Sequence, residues 1–140
     1  MSTMKDIFAI HQAEYDMLPD CASAAPAIVK ILGEHTDFTD GLVMAACLSF
    51  EVKIAISFRK DNSLRFYAAD FNERKRANIV TLKYKREDRW ANHIKSICDY
   101  FWRTFDLEPK GLNVTIQSTV PLGLGLGISA ALNMATAKHF

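Results

Sequence analysis

The sequence has little of what would mark several functional classes. It has no Cys-x-x-Cys pair: its three cysteines, Cys21, Cys47 and Cys98, stand far apart and are odd in number. That argues against both a disulfide framework and a metal site. It has no long hydrophobic run, since the longest strictly apolar stretch, Leu42 to Leu48, is too short to span a bilayer. The N-terminus, Met1-Ser2-Thr3-Met4-Lys5-Asp6, lacks the apolar core of a signal peptide. It has almost no excess of charge: 17 Lys and Arg against 16 Asp and Glu give a net charge of +1, which argues against a dedicated binder of nucleic acid or another polyanion. It has no internal repeat, linker or low-complexity segment. What remains is 140 residues, 49% hydrophobic and 24% charged, enough for one domain with a real core. These features predict a soluble, reduced, cytoplasmic protein without a membrane partner.

The pattern along the chain predicts an α+β organisation. Thr3 to Leu18 reads as a short helix ended by Pro19-Asp20, and Cys21 to Pro26 as a loop of small residues. Ala27 to Leu32 reads as a strand, Gly33 to Gly41 as an exposed loop, and Leu42 to Leu48 as a buried strand. Val52 to Phe58 and Leu64 to Tyr67, separated by Lys60-Asp61-Asn62-Ser63, carry a hairpin signal. The chain then reads as irregular and basic to about Lys85. Asp88 to Phe105 is the clearest helix, with Trp90, Ile94, Ile97, Cys98, Phe101 and Phe105 at helical spacing. Such an aromatic stripe is ordinarily core, and Cys47 and Cys98, in apolar runs, read as core thiols. His11 and His139 show no chemical context. Asn113 to Val120 reads as a strand, and Ser129 to Phe140 as a helix in which the chain stops without a capping signal, which points to an incomplete domain.

Two segments hold residues suited to chemistry. Gly123-Leu124-Gly125-Leu126-Gly127 lies between a strand and a helix. Glycines there let backbone approach an anion, and the helix offers unpaired N–H groups. The spacing is neither a Walker loop nor the dinucleotide fingerprint. Gly33-Glu34-His35-Thr36-Asp37 groups two carboxylates, an imidazole and a hydroxyl in one loop, a set suited to hydrogen-bonding a polyhydroxylated ligand. A third segment, Arg59 to Arg89, holds ten Lys and Arg against five Asp and Glu. Without a nucleic-acid motif it reads as a solvated hairpin and loop.

Taken together, the segments carry a resemblance. Ala25-Pro26-Ala27-Ile28-Val29-Lys30-Ile31-Leu32-Gly33-Glu34-His35-Thr36-Asp37-Phe38 resembles the galactokinase signature A-P-G-R-V-N-L-I-G-E-H-T-D-Y. Pro121 to Leu132 resembles the phosphate loop of the wider GHMP small-molecule kinase superfamily, and Trp90-Ala91-Asn92-His93-Ile94-Lys95 is similar to the galactokinase helix motif W-A-N-Y-V-K. Order and spacing agree for all three, from about residue 7 to the end. The resemblance implies transfer of the γ-phosphoryl of MgATP to the anomeric hydroxyl of galactose. It implies Glu34, His35 and Asp37 as contacts to galactose or a related sugar. It implies Gly123, Gly125, Gly127 and Ser129 around the ATP phosphates, and Trp90 and His93 at the adenine. The implied fold is the ribosomal S5 domain 2-like, N-terminal portion of a GHMP kinase: a mixed or antiparallel sheet with helices on one face, here one truncated domain over residues 1–140.

The departures weigh as much as the matches. Ile28 stands where the family has an arginine near the reacting hydroxyl, and an aliphatic side chain cannot stabilise developing charge. Lys30 would share its strand face. Ile128 stands where a serine assists magnesium or phosphate. The family's catalytic aspartate and a further metal-binding carboxylate match nothing in these residues. The expectation is therefore a galactokinase-like protein or fragment that recognises its sugar, binds ATP and Mg doubtfully, and has no catalytic residue of its own. Two other readings stay open: a kinase half completed by further chain or a complementing polypeptide, and a non-catalytic regulatory or interaction module contacting partners through Arg59 to Arg89. A homodimer is expected if the incomplete edge pairs with itself.

Overall fold

A computed structural model describes residues 3–140, except the side chain of Asp37. Its regular elements are α1 (Met4–Tyr15), β1 (Cys21–Leu32), β2 (Met44–Phe58), β3 (Ser63–Ala68), β4 (Glu73–Asn78), α2 (Ala91–Thr104), β5 (Leu112–Ser118) and α3 (Ile128–Ala137). Short 3-10 turns lie at Asp37–Thr39, Ala69–Phe71 and Arg86–Asp88. The five strands form one sheet in the order β1-β2-β5-β3-β4. β3 runs parallel to β5, and the other neighbours pair antiparallel.

The core follows from strand and helix periodicity. Val52, Ile54 and Ile56 of β2, Leu64 and Phe66 of β3, and Leu112, Val114 and Ile116 of β5 alternate onto one face. Ile94, Cys98 and Trp102, four residues apart on α2, meet them there with Ala131, Leu132 and Ala135 of α3. Fully burying an aliphatic side chain such as Leu64 or Ile94 contributes roughly 1.5–3 kcal/mol, so this face dominates the stability of the fold. The expected mixed sheet therefore forms, and α2 and α3 cover one face as anticipated. α1 lies on the other face, against β2 and β5, and buries Ile7 and His11.

Several expected elements differ. Cys21 to Pro26 is the first half of β1 rather than a loop, and its small residues have a packing reason. Ala25 and Ala27 are buried beneath α3, Ser23 Oγ donates to the Ala135 carbonyl at 2.6 Å, and Lys138 Nζ donates to the Ala24 carbonyl at 2.6 Å. Leu42 to Leu48 is not buried. From Met44 it is the outer half of the long β2, mostly exposed with Leu48 at the margin of the core, and Cys47 is exposed rather than a core thiol. Val52–Phe58 and Leu64–Tyr67 do not pair as a hairpin, because β5 lies between them. The turn crosses the start of β5, where the Arg59 N–H donates to the Gly111 carbonyl at 2.8 Å. The segment expected to be irregular contains the edge strand β4, whose half-buried Glu73, Lys75 and Ala77 alternate with exposed Arg74, Arg76 and Asn78. Charged alternation of this kind protects an edge from pairing with another chain and hides the strand from a hydrophobic pattern. Phe101 and Phe105 are not in the core; they stack on each other at 5.4 Å, and Phe140 stacks on Phe101 at 5.0 Å.

Candidate functional site

The glycine loop, residues 121–127, leaves β5 and enters α3, the strand-loop-helix order expected of it. Gly123, Gly125 and Gly127 all adopt positive φ, 74°, 66° and 67°. A Cβ on Gly123 or Gly125 would meet nothing within 4 Å, so this part of the loop is open. Gly127 differs, because a Cβ there would come within 2.9 Å of Ile28 Cγ1. The Ile28 N–H donates to the Leu126 carbonyl at 3.2 Å. Two motifs about a hundred residues apart thus meet at Ile28.

Beside the loop lies a cavity of about 600 Å³ between the 3-10 turn at Ala69–Phe71, the start of α2 and the start of α3. Trp90, His93 and Ser129 line it together, with Phe71, Glu73 and Ile128. Trp90 caps α2, and its ring stands edge-on to Phe66 at 6.4 Å and 89°. Its indole Nε1–H donates to Glu73 Oε2 at 2.8 Å. Lys75 Nζ lies 3.0 Å from Glu73 Oε1. The hydrogen bonds from Trp90 and from Lys75 hold the Glu73 carboxyl below the usual carboxylate range. Gly123 and Gly125 do not line this cavity.

Glu34 and His35 lie elsewhere, in the β1–β2 connection, with side chains 70% and 75% exposed and His35 Nε2 3.8 Å from Glu34 Oε1. Gly33 starts that loop at φ 80°, where any side chain would run into the Leu42 carbonyl. Thr36 pins the loop: its Oγ1 donates to the Gly33 carbonyl at 2.8 Å, and its carbonyl accepts the Gly41 N–H at 2.9 Å. Asp37 begins the following 3-10 turn, and its side chain lies outside the described residues. The structure thus gathers Trp90, His93 and Ser129 in one cavity, and leaves Glu34 and His35 on a separate loop at the end of the strand that carries Ile28.

The residues present fit a phosphate chain with a base beside it. The open glycine loop and the N-terminus of α3 present backbone N–H groups, and the cavity presents aromatic faces. They do not make a metal cage. Among the described residues no three His, Cys, Asp or Glu side chains converge. Of the two carboxylates of the cavity wall, Glu73 is engaged at both oxygens as above, and Asp70 Oδ2 accepts the Ser118 N–H at 2.6 Å.

Two residues without an expected role hold the site's surroundings. Asn92 brackets Lys85, accepting its N–H at 3.2 Å and donating to its carbonyl at 2.7 Å. Lys95, only 3% exposed, reaches Asp88 at 2.6 Å and the Lys83 carbonyl at 2.8 Å. Both tie the segment before α2 to that helix, and neither tie has a periodic signature. His11 is fully buried between Thr115 Oγ1, at 2.8 Å from Nδ1, and Ser57 Oγ, at 2.9 Å from Nε2. Burial lowers its pKa to about 4, against the opposing charge of Asp20. His139 has a partner too, Ser23 Oγ at 3.0 Å.

Two family models and several known proteins match the chain. Residues 9–58 match the galactokinase galactose-binding signature, and residues 92–140 match the GHMP kinases N terminal domain. A galactokinase of Haemophilus influenzae is 33% identical over 138 residues, covering 99% of this chain and 36% of that protein. The crystal structure of Lactococcus lactis galactokinase complexed with galactose superposes with a TM-score of 0.83 at 19% identity, over 96% of this chain and 36% of that one. Methanococcus jannaschii mevalonate kinase shares the fold at a TM-score of 0.71 and 20% identity, over 84% and 38% of the two chains. The chain spans about a third of the length of these relatives. Among the described residues no helix is long and apolar enough to cross a membrane.

Proposed function

Since this chain belongs to the galactokinase family, within the GHMP kinases, we propose that it is a cytoplasmic sugar- and nucleotide-binding portion that does not itself transfer phosphoryl groups. Galactose or a related sugar is held by Glu34, His35 and Asp37, whose acceptors match sugar hydroxyls. The phosphates of ATP lie along Gly123, Gly125, Gly127 and Ser129, and the adenine lies against Trp90 and His93. Bound ATP would supply the phosphoryl group, and this chain's residues would position it. Magnesium would be held by the ATP phosphates and water, with at most one or two carboxylates.

The observation that carries the reading is the contact of Ile28 with Leu126 and Gly127. It sets the strand leading to the sugar loop against the phosphate loop, the adjacency that a transfer site requires. The same contact supports the lack of turnover. An apolar side chain occupies the junction where charge would develop, and it offers no hydrogen-bond donor. Lys30 is exposed, two residues further along a regular stretch of β1.

Equilibrium dialysis of the chain against galactose and ATP, followed by phosphorus-31 spectroscopy of the mixture with magnesium, tests the proposal. Retention of both ligands without galactose 1-phosphate is the expected result. Retention of neither ligand, or turnover by this chain, overturns it. The alternative of a non-catalytic interaction module has less support. Three cations of the basic segment are paired within the chain, Arg74 with Glu14 at 2.6 Å, Lys75 with Glu73, and Arg59 with Asp61.

A further inference from the structure

We propose that Glu73 is a positioning residue for the nucleotide cavity: it fixes the plane of the Trp90 indole so that the ring serves as a flat wall for the base. The inference rests on the reading of this cavity as the nucleotide site.

Trp90 enters from a sharply turned backbone. Arg89, just before it, lies at φ 44° and ψ −112°, a conformation that few residues with side chains adopt. That turn delivers the indole to the cavity but does not fix its two side-chain torsions. Phe66 touches it edge-on, a contact that limits one rotation. The polar edge is held by Glu73 Oε2, which accepts the Nε1–H at 2.8 Å. Glu73 is itself held, because Lys75 Nζ lies 3.0 Å from its other oxygen and donates to the Glu87 carbonyl at 2.9 Å. Glu73 and Lys75 are two apart on β4 and therefore share its half-buried face. The edge strand and the segment leading into α2 are thereby clipped together with the indole at the end of the clip. An ionised acceptor makes the stronger class of hydrogen bond, and the Trp90 and Lys75 bonds keep Glu73 ionised. A π-face whose plane is set before the ligand arrives need not be ordered on binding, so the clip lowers the ordering cost.

The test uses the intact chain, ATP as the probe, and the variants Glu73→Ala, Glu73→Gln and Lys75→Met. Trp90→Phe separates the emission of Trp90 from that of the core residue Trp102. In Glu73→Ala, Trp90 emission moves to the red and is quenched more by acrylamide, and ATP binds about tenfold more weakly, the loss expected for one hydrogen bond to a charged group. Glu73→Gln keeps an acceptor for the indole and stays within about threefold of the parent. Lys75→Met frees the carboxylate and gives an intermediate emission. Unchanged emission and quenching in both Glu73→Ala and Lys75→Met overturn the proposal, as does an emission shift with unchanged ATP affinity. If the parent chain does not bind ATP, the nucleotide reading fails on that result alone. The emission data then decide separately whether Glu73 sets the indole.

Discussion

Ile28 seals Gly127 in place: its Cγ1 lies 2.9 Å from where a Gly127 Cβ would stand, while its N–H donates to the Leu126 carbonyl at 3.2 Å. The packing explains why the last glycine of the loop differs from the two open ones. It combines a positive φ with a neighbour that leaves no room for a methyl group. Gly127→Ala is therefore expected to destabilise the chain by about 2–4 kcal/mol, adding a left-handed backbone penalty to overpacking. In an Ile28→Ala background the same change costs less, because the packing part is relieved. Chemical denaturation of the four proteins of this cycle measures the difference. Equal costs in both backgrounds would deny the contact.

His11 predicts an acid limit to stability. Its pKa is lowered to about 4 in the folded chain, against an ordinary value of 6.5. The unfolded chain therefore binds the proton more readily. The stability held above pH 6.5 is lost as pH falls towards 4, by an amount on the order of 3 kcal/mol. Burial lowers the His139 pKa as well, with the same sign. Unfolding free energies measured from pH 7.5 to 4 should fall for the parent and fall less for His11→Gln. Parallel pH profiles would contradict the assignment.

Lys95 and Asp88 form a buried ion pair at 2.6 Å, with side chains 4% and 9% exposed. Removing one partner strands the other charge. Lys95→Met is expected to destabilise the chain by about 3–5 kcal/mol, and Asp88→Leu in the same chain to recover much of that loss. Thermal melts of the single and double variants check this. A double variant as unstable as the sum of the singles would show that the two residues act independently.

Much of the fold was legible where burial is one-sided. The α2 stripe of Ile94 and Cys98 and the alternation of Val52, Ile54 and Ile56 named core residues directly, although Phe58, next in that alternation, is exposed. The sequence misled where tertiary context overrides a local pattern. Leu42 to Cys47 is apolar yet mostly exposed, while Leu48 packs at the margin of the core. Strand β4 carries alternating charges because it is an edge. The apparent hairpin fails because β5, contributed from far along the chain, inserts between its strands. Within the site, the glycine loop and Trp90 were visible as motifs. The Glu73–Trp90 bond, the Lys95–Asp88 pair and the burial of His11 each join residues whose proximity the fold alone creates.

The central claim is that the loop from Gly33 to Gly41 holds a sugar even though Ile28 occupies the transfer junction. Calorimetric titration of D-galactose into the chain, beside the Glu34→Ala and Asp37→Ala variants, tests it most directly. Glu34 is exposed, so its loss should leave folding intact while it removes the acceptor. Saturable heat from the parent that disappears in the variants is the predicted result. A folded parent chain that gives no heat, or variants that bind as the parent does, would contradict the account.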